Sequence, residues 1–454
     1  MNISSNSSNL LKIRQFLAGD VFGVILFIIA ALIVIFNYTI PGSIYLGFLV
    51  CIIVVVCDDP LTAVYPLLLL SGFTIQNKNS YDEYIEYVWA IPIVLFAILF
   101  HIIVYRKKIE PKRGELLLPM SFVAFATILG GVGIMTPTEY FTRTNLFYMF
   151  TLGILPIVVY SYFSAVLGPG KNGEEPVDIR IAKIMTGCCG FLVFAIIEYY
   201  VENWWNFIFD PNILPFQWRN NACTIMMLCL PFVFYLAREK HFGFISIAFL
   251  TMCAMILSGS RGGMVFGSIE FLILTIHQII VDKKHRKIMI TIVIACVVVL
   301  IIIVPQLRHY LRYTIERFTS SKENFRRLGL LKRSIEDFLA NPITGRGLGY
   351  MGNRDLHASK QGTLCWYHSS IPQVLGSFGI LGILAYGYQF IARIRFLSKK
   401  SSKLSEPIIF SFIGLELISL VNPGIFAPIY LVVLTFLFVV LEQFPKNDSF
   451  SVMN

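Results

Sequence analysis

Fourteen apolar segments, each long enough to cross all or most of a lipid bilayer, take up the greater part of this 454-residue chain. A spanning helix needs about 20 mostly apolar residues, and its backbone must form its hydrogen bonds within the segment. The chain is 56% hydrophobic and only 14% charged, whereas roughly 25% of the residues of a soluble domain are charged. The sequence therefore excludes an ordinary soluble enzyme and predicts an all-α, polytopic transmembrane protein.

The predicted spans leave only one long polar region. They run approximately over residues 20–37, 44–57, 61–76, 88–105, 116–135, 145–167, 181–200, 221–237, 242–258, 263–281, 288–305, 371–392, 405–421 and 425–443. The second and third are also compatible with one helical hairpin, so the count is 12 to 14 spans. We expect a single transmembrane domain over residues 1–454, with an extracytoplasmic loop over residues 306–372.

Seven clusters of Lys and Arg set the predicted orientation, because positively charged short loops stay in the cytoplasm. With fourteen spans, all seven clusters fall on one side of the membrane, which predicts that both termini are cytoplasmic. The clusters are Lys12 with Arg14, residues 106–113, residues 171–183, Arg238 with Lys240, residues 283–287, residues 393–403 and Lys446. No small-residue cleavage site follows the first apolar block, so we expect the first helix to be retained.

The loop over residues 306–372 lies outside by the same count, yet it carries eleven Lys and Arg residues against five acidic ones. Two interpretations stay open: a solvated loop, since long loops translocate whatever their charge, or a binding site for an anion. Two segments of the loop have an apolar stripe at helical spacing, which suits amphipathic helices on the outer membrane surface. The stripes are Leu307, Leu311, Ile315 and Phe318, and then Leu328, Leu331, Ile335 and Phe338.

Basic and glycine residues of this loop are candidates for contact with a substrate. Arg308 and Arg312 lie one turn apart on the first predicted helix, and the second helix ends before Pro342, because the residue preceding a proline leaves helical geometry. A glycine run with Gly347 and Gly349 follows. Its G-x-G-x-x-G spacing does not predict a dinucleotide fold, because it follows a helix and opens no βαβ unit. A loop whose backbone approaches an anion remains compatible with the sequence.

Arg261 and His368 stand at predicted outer ends of spans. Arg261 lies in SGSRGG, where small neighbours leave room for a ligand, although an arginine at a membrane boundary also simply reaches the headgroups. A lone histidine is more often structural than catalytic. Arginines together with a histidine are more informative than either alone. A guanidinium group donates two parallel hydrogen bonds to phosphate oxygens, and an imidazole accepts a proton near neutral pH. The combination suits a substrate with a lipid tail and a diphosphate at the membrane surface.

Four short elements over residues 219–390 resemble the bacterial O-antigen ligase and O-antigen polymerase family, integral membrane enzymes that act on glycans carried on undecaprenyl diphosphate. The elements are the Asn-containing start of a middle span, with Asn220 or Asn221; SGSRGG with Arg261; RLGLLKRSIEDFLANPITGRGLGY with Arg327; and HSSIPQVLGSFGILGILAYG with His368. The resemblance implies a C-type glycosyltransferase-like helical fold, with no nucleotide sugar, no cofactor and no essential metal.

The resemblance also implies roles for residues. Arg261 and Arg327 would bind the donor diphosphate, and His368 would orient or deprotonate the attacking sugar hydroxyl, so these three are the candidate catalytic residues. The candidate substrate-binding residues are Arg326, Arg219, Asn221, Arg308, Arg312, Gly347, Gly349 and Tyr367. Tyr367 is a candidate for stacking on a sugar ring, although aromatic residues at an interface are also expected in the membrane belt.

The expected partners are an undecaprenyl-diphosphate-linked glycan donor, a glycan acceptor, the lipid bilayer and, as a further candidate, a chain-length regulator, with no nucleic acid. The expected location is the bacterial cytoplasmic membrane, with the active site on the outer face. Polymerase and ligase both remain open, and the polymerase is slightly favoured. The alternative from another class is a transporter or flippase for lipid-linked glycans, but such proteins show internal repeats and ionisable groups at the midplane. Here Glu270 and Glu416 are the only acidic residues well inside the predicted spans, and we expect each to make buried, hydrogen-bonded helix contacts.

Overall fold

A computed structural model describes residues 3–76, 88–105, 114–132, 146, 148–167, 175–203, 219–303, 305, 321–348, 367–400, 402–422 and 424–444. All regular structure within these ranges is helical, and they contain no strand. The predicted all-α class is confirmed.

The described residues form sixteen α-helices. They are α1 (Ile3–Ala18), α2 (Asp20–Ile35), α3 (Thr39–Val56), α4 (Leu61–Gln76), α5 (Ile91–Tyr105), α6 (Leu117–Val132), α7 (Leu155–Val166), α8 (Val177–Glu202), α9 (Arg219–Glu239), α10 (Ile245–Leu257), α11 (Ser268–Val281), α12 (Arg286–Ile303), α13 (Ser321–Ala340), α14 (Ser370–Lys399), α15 (Ser405–Ser419) and α16 (Pro428–Gln443). Short π-helical segments precede α7 (Met149–Ile154) and α11 (Gly263–Gly267).

Each of the predicted spans coincides with one of these helices. Within the described ranges, six helical stretches are long and apolar enough to cross a membrane, or seven if α1 and α2, which meet at a 60° bend, form one span. The six are Thr39–Val56, Met149–Val166, Val177–Glu202, Arg219–Glu239, Gly263–Val281 and Ser370–Lys399. Several shorter apolar helices accompany them. These helices agree with a polytopic membrane protein, whereas the count of 12 to 14 spans and the orientation stay predictions.

The chain forms two compact units. The first comprises residues 1–109 and 165–303, and the second comprises residues 110–164 and 304–454. The innermost helix of the first unit is α9, which packs against α8, α10 and α11 and is buried on every side over most of its length. In the second unit α14 packs against α6 and α13. The expectation of a single domain remains a prediction.

Helix α14 is broken at Gly379, and this break shapes the second unit. Gly379 has φ +60° and ψ −148°, a conformation outside the helical region that glycine adopts without steric cost. The segment 341–347, which follows α13, fills the break with backbone hydrogen bonds. The amide groups of residues 346 and 347 donate to the carbonyl groups of residues 376 and 377, at 2.9 and 3.0 Å. The amide groups of residues 380 and 381 donate to the carbonyl groups of residues 342 and 343, at 2.8 and 3.1 Å.

These four bonds satisfy backbone groups that a broken helix would otherwise leave without partners in a buried place. They also fix the end of α13 against the middle of α14. The break therefore determines where the residues around His368, at the start of α14, lie relative to α13.

Candidate active site

The candidate residues of the first unit lie where α9 begins and the SGSRGG turn follows α10. The buried Ser260 hydroxyl donates a hydrogen bond to the side-chain oxygen of Asn220 at 2.6 Å. The same hydroxyl accepts the amide hydrogen of Gly263 at 3.1 Å. The turn that carries Arg261 is thereby held at both ends, and it is anchored to the first turn of α9.

Close packing explains the small residues of this turn. A Cβ atom on Gly263 would lie 2.3 Å from the Cys223 sulfur, on α9. Gly259 has φ +69°, in the left-handed region that favours glycine. The glycines allow the turn to approach α9, so that Arg261 begins the following helix at a fixed place. Its side chain is half-buried.

Arg219 and the two asparagines after it occupy the start of α9. Arg219, Asn220 and Asn221 are each half-buried. The hydrogen bond between Asn220 and Ser260 brings the neighbours of Arg219 and of Arg261 into direct contact. The sequence favoured Asn221 for the site, whereas the hydrogen bond to the Arg261 turn is made by Asn220.

In the second unit, α13 is amphipathic as predicted, and the stripe that it buries is partly polar. Its buried residues, Leu330, Ser334 and Asp337, recur at helical spacing and are followed by the buried Asn341. Arg327 begins this line one turn earlier and is exposed. The helix packs against α14.

The predicted apolar stripe of α13 is mostly uncovered by the protein. The exposed fractions of Leu328, Leu331 and Ile335 are 60%, 43% and 44%, while Phe338 is half-buried. Leu339 adds a fourth exposed side chain, at 69%. An apolar face outside the bundle suits contact with a membrane surface.

His368 precedes α14 and has an unusual backbone conformation. Its φ is +55°, in the left-handed region, which is uncommon for residues other than glycine. The preceding residue, Tyr367, is held by two hydrogen bonds. Its hydroxyl donates to Asp337 Oδ2 at 2.5 Å, and its amide donates to Gln373 Oε1 at 3.0 Å. Gln373 in turn donates to the Ser377 hydroxyl at 2.9 Å, which connects this network to the break in α14.

Asp337 is the acidic centre of this network and is almost fully buried, at 2% exposed. Burial raises the pKa of its carboxyl group, and the hydrogen bond from Tyr367 and the positive charges of Arg333 and Arg346 oppose that rise. Arg333 Nε lies 3.4 Å from Asp337 Oδ1. A buried carboxyl group of this kind is stable only with partners that compensate for lost hydration.

The structure brings several predicted site residues of the second unit into one module. Tyr367 bonds to Asp337 near the end of α13, His368 follows Tyr367, and Gly347 pairs with the break in α14, whereas Arg327 stands about 15 Å along α13 from Asp337. The Gly347 amide donates to the Ser377 carbonyl, so this amide is used within the chain. The ring of Tyr367 is 3% exposed and packs against Gly376, which favours a structural role over stacking on a sugar.

Four predicted site residues lie wholly or partly outside the described part of the structure. Arg326 belongs to α13, but its side chain lies outside the described part of the structure. Arg308, Arg312, Gly349 and the first predicted amphipathic helix also lie outside the described residues.

Asp337, Gln373, Ser377 and Arg346 were not singled out from the sequence. A second, partly polar stripe of α13 was available as a signal, because Leu330, Ser334, Asp337 and Asn341 share one helical face. This polar stripe was not recognised as the buried one, because the apolar stripe of a helix is normally its buried side.

The two acids predicted inside spans differ from each other. Glu416 is half-buried and interacts electrostatically with the buried Arg393. Glu270 is buried, as expected, but neither of its carboxyl oxygens has a hydrogen-bond partner among the described residues, so the expected hydrogen bonds are not found there. Neither residue is part of the modules around Arg261 and His368.

The fold and these modules define an all-α polytopic membrane protein with basic and polar groups held at helix ends. Residues 246–387, just under a third of the chain, match the family model described as O-antigen ligase. The chain is therefore a membrane protein with an O-antigen ligase family domain, as its motifs predicted. The match includes Arg261, Arg327 and His368, and it ends before α15. No curated protein matches the chain significantly.

Proposed function

We propose that this protein transfers an oligosaccharide or polysaccharide from undecaprenyl diphosphate to an acceptor glycan at the outer face of the bacterial cytoplasmic membrane. The single observation that carries the proposal is the O-antigen ligase match, which contains all three candidate catalytic residues. The match supports glycan transfer in O-antigen-type biosynthesis. The lipid-diphosphate donor and the outer face follow from the sequence resemblance and the charge pattern.

The proposed reaction is a substitution at the anomeric carbon of the donor sugar. A hydroxyl oxygen of the acceptor forms a bond to this carbon as the bond to the diphosphate oxygen breaks. The electron pair of the broken bond leaves with undecaprenyl diphosphate, and the hydroxyl proton passes to a base. A single displacement inverts the configuration at the anomeric carbon.

Two arginines would stabilise the departing diphosphate. Negative charge grows on the leaving oxygen during the reaction, and fixed guanidinium groups lower the energy of that state. Arg327 is exposed on α13, next to the apolar face of that helix, where a lipid-linked substrate would approach. The turn that carries Arg261 is held by the hydrogen bond between Ser260 and Asn220, which fixes the position of the Arg261 backbone.

His368 would orient or deprotonate the acceptor hydroxyl. It is half-buried, so its imidazole ring is partly accessible, and its backbone is fixed between two bonded neighbours. An imidazole accepts a proton near neutral pH and is therefore suited to general base catalysis.

The direct test is glycan transfer by purified protein in detergent, with a lipid-diphosphate glycan and an acceptor. The wild-type protein should form product without a sealed compartment, and His368→Ala should lower kcat by about 10²-fold or more. His241→Asn is the matched control, because His241 is exposed and its replacement keeps a side-chain acceptor for the Gly243 amide. Failure of the wild-type protein to transfer in detergent, with movement of lipid-linked glycan across sealed vesicles, would favour the transporter.

Polymerase and ligase are distinguished by the acceptor. A polymerase uses a second lipid-linked repeat unit, whereas a ligase uses a lipid A core or a cell-wall polymer. We favour the polymerase slightly. Cells that lack the protein should then accumulate single repeats on the carrier, and long carrier-linked chains would instead identify a ligase.

A further inference from the structure

We propose that Asp337 is a positioning residue that holds His368 in place through Tyr367. This inference rests on the proposed role of His368 and extends it to a pair of residues that form no part of the candidate catalytic group. The pair links α13, which carries Arg327, to the turn that carries His368.

The conformation of His368 needs support from its neighbours. A left-handed backbone is unfavourable for a residue with a side chain and persists only where the surroundings enforce it. On one side, the Tyr367 amide and hydroxyl are both bonded. On the other side, the Ser369 carbonyl accepts the amide hydrogen of Gln373 at 3.1 Å, which begins α14. His368 is thus the residue between two anchored neighbours.

The anchor at Tyr367 depends on its hydroxyl group. The Tyr367 ring is buried, and a Cβ atom on Gly376 would lie 2.8 Å from the Tyr367 oxygen, so the ring fills its space closely. The hydroxyl ends at Asp337 Oδ2, 2.5 Å away. A buried hydrogen bond to a charged acceptor is stronger than one between neutral groups. Loss of this bond would release the residue directly before His368.

The position of Asp337 gives the bond a consequence for the whole site. Asp337 follows Arg327 by ten residues on the same helix, a separation of about 15 Å along its axis. Asn341, just after α13, accepts the Gly345 amide at 2.8 Å, and the next residues pair with the break in α14. In addition to these backbone bonds, the Asp337–Tyr367 bond therefore connects α13, which carries Arg327, to the turn that carries His368.

The charges around Asp337 are consistent with a group kept in one place. Arg333, from the same helix, and Arg346, from the segment in the break, both interact with its carboxylate. Glu336, on the same helix, carries a like charge that disfavours the ionised form of Asp337. Arg333 on α13 and Arg346 on the segment that fills the break in α14 therefore attract the Asp337 carboxylate from two different elements.

The test compares three variants with a matched control. Tyr367→Phe removes only the hydroxyl, Asp337→Ala removes the acceptor, and Asp337→Asn keeps an oxygen that accepts the bond. Tyr388→Phe is the control, because it makes the same chemical change at an exposed position of α14. The readouts are kcat and KM for the lipid-linked donor, the pH profile of kcat, and the rate at which diethyl pyrocarbonate modifies His368, followed by peptide mass spectrometry.

We expect Tyr367→Phe and Asp337→Ala to lower kcat by about 10²-fold with little change in KM, and to alter the modification rate and the pH profile. Asp337→Asn should recover most of the activity, and Tyr388→Phe should behave as wild type. The double variant Tyr367→Phe with Asp337→Ala should be no worse than either single variant, because both remove one bond.

Two outcomes separate this inference from the proposed function. If His368→Ala abolishes transfer while Tyr367→Phe and Asp337→Ala keep the wild-type kcat and modification rate, the positioning role is wrong and the proposed function stands. If His368→Ala transfers glycan as well as wild type, the role of His368 fails. A loss of kcat with an unchanged modification rate and pH profile would also contradict positioning.

Discussion

The Gly347 amide donates a hydrogen bond to the Ser377 carbonyl at 3.0 Å, inside the break in α14. This bond joins the segment after α13 to the helix that His368 precedes. The glycine run therefore forms part of the framework of the candidate site. The segment that contains this run pairs with the backbone groups freed by the break in α14, so these groups can remain buried.

Gly379→Ala should destabilise the second unit and abolish glycan transfer. Gly379 has φ +60°, and a Cβ atom there would lie 2.5 Å from the Pro342 carbonyl oxygen. This positive-φ conformation, which is essentially confined to glycine, costs alanine about 1–3 kcal/mol, and the carbonyl cannot move without breaking the bond to residue 380. Thermal unfolding of the detergent-solubilised protein measures the loss.

Gly387→Ala is the matched control on the same helix, because nothing lies within 4 Å of its added Cβ atom. We expect unchanged activity and a stability gain of up to about 1 kcal/mol, from the better helix propensity of alanine. Equal melting temperatures for the two variants would show that the break is not required.

Asn220→Ala should lower transfer activity more than Asn221→Ala. The Asn220 side chain accepts the Ser260 hydroxyl hydrogen at 2.6 Å and so holds the turn that carries Arg261. Its loss leaves a buried hydroxyl without this acceptor, at a cost of about 1–3 kcal/mol. Asn220→Asp keeps an acceptor oxygen and should retain more activity than Asn220→Ala. A larger defect for Asn221→Ala, in kcat/KM measured side by side, would instead support the residue chosen from the sequence.

Lys284→Cys and Lys332→Cys should lie on opposite sides of the membrane. Both lysines are exposed, the first in a basic loop predicted to be cytoplasmic and the second on α13, predicted to be outside. A membrane-impermeant maleimide applied to spheroplasts should label position 332, and position 284 only after the membrane is opened. Labelling of position 284 in intact spheroplasts would reverse the predicted orientation.

The apolar face of α13 should rest on lipid. Leu331 and Ile335 are 43% and 44% exposed, and the side chain of their neighbour Lys332 is 81% exposed. A fluorophore attached at position 331 or 335 should be quenched by brominated phospholipids in nanodiscs more strongly than one at position 332. Equal quenching at the three positions would exclude contact of this face with the bilayer.

The sequence predicted the helices well, because long apolar runs leave the backbone few alternatives in a membrane. Each predicted span coincides with a helix. The amphipathic character of α13 was also predictable from the spacing of Leu328, Leu331 and Ile335. Helical spacing does not reveal which stripe faces the protein. In α13 the buried stripe is the partly polar one that contains Asp337.

The supporting contacts of the site were harder to predict than its motifs. Arg261, Arg327 and His368 lie within the O-antigen ligase match. The partners of Tyr367 come from thirty residues earlier and six residues later, and such pairings depend on the break at Gly379. A single glycine within a glycine-containing apolar helix gives no sign that the chain leaves helical geometry there.

We propose that Arg261 and Arg327 both bind the diphosphate of the lipid-linked donor. The most direct test of this claim is the dissociation constant of undecaprenyl diphosphate for the wild-type protein, Arg261→Lys, Arg327→Lys and the double variant. Lysine keeps the charge but loses the paired donors, so we expect each single variant to bind about tenfold more weakly, with non-additive effects in the double variant. Wild-type affinity in both single variants would contradict the account.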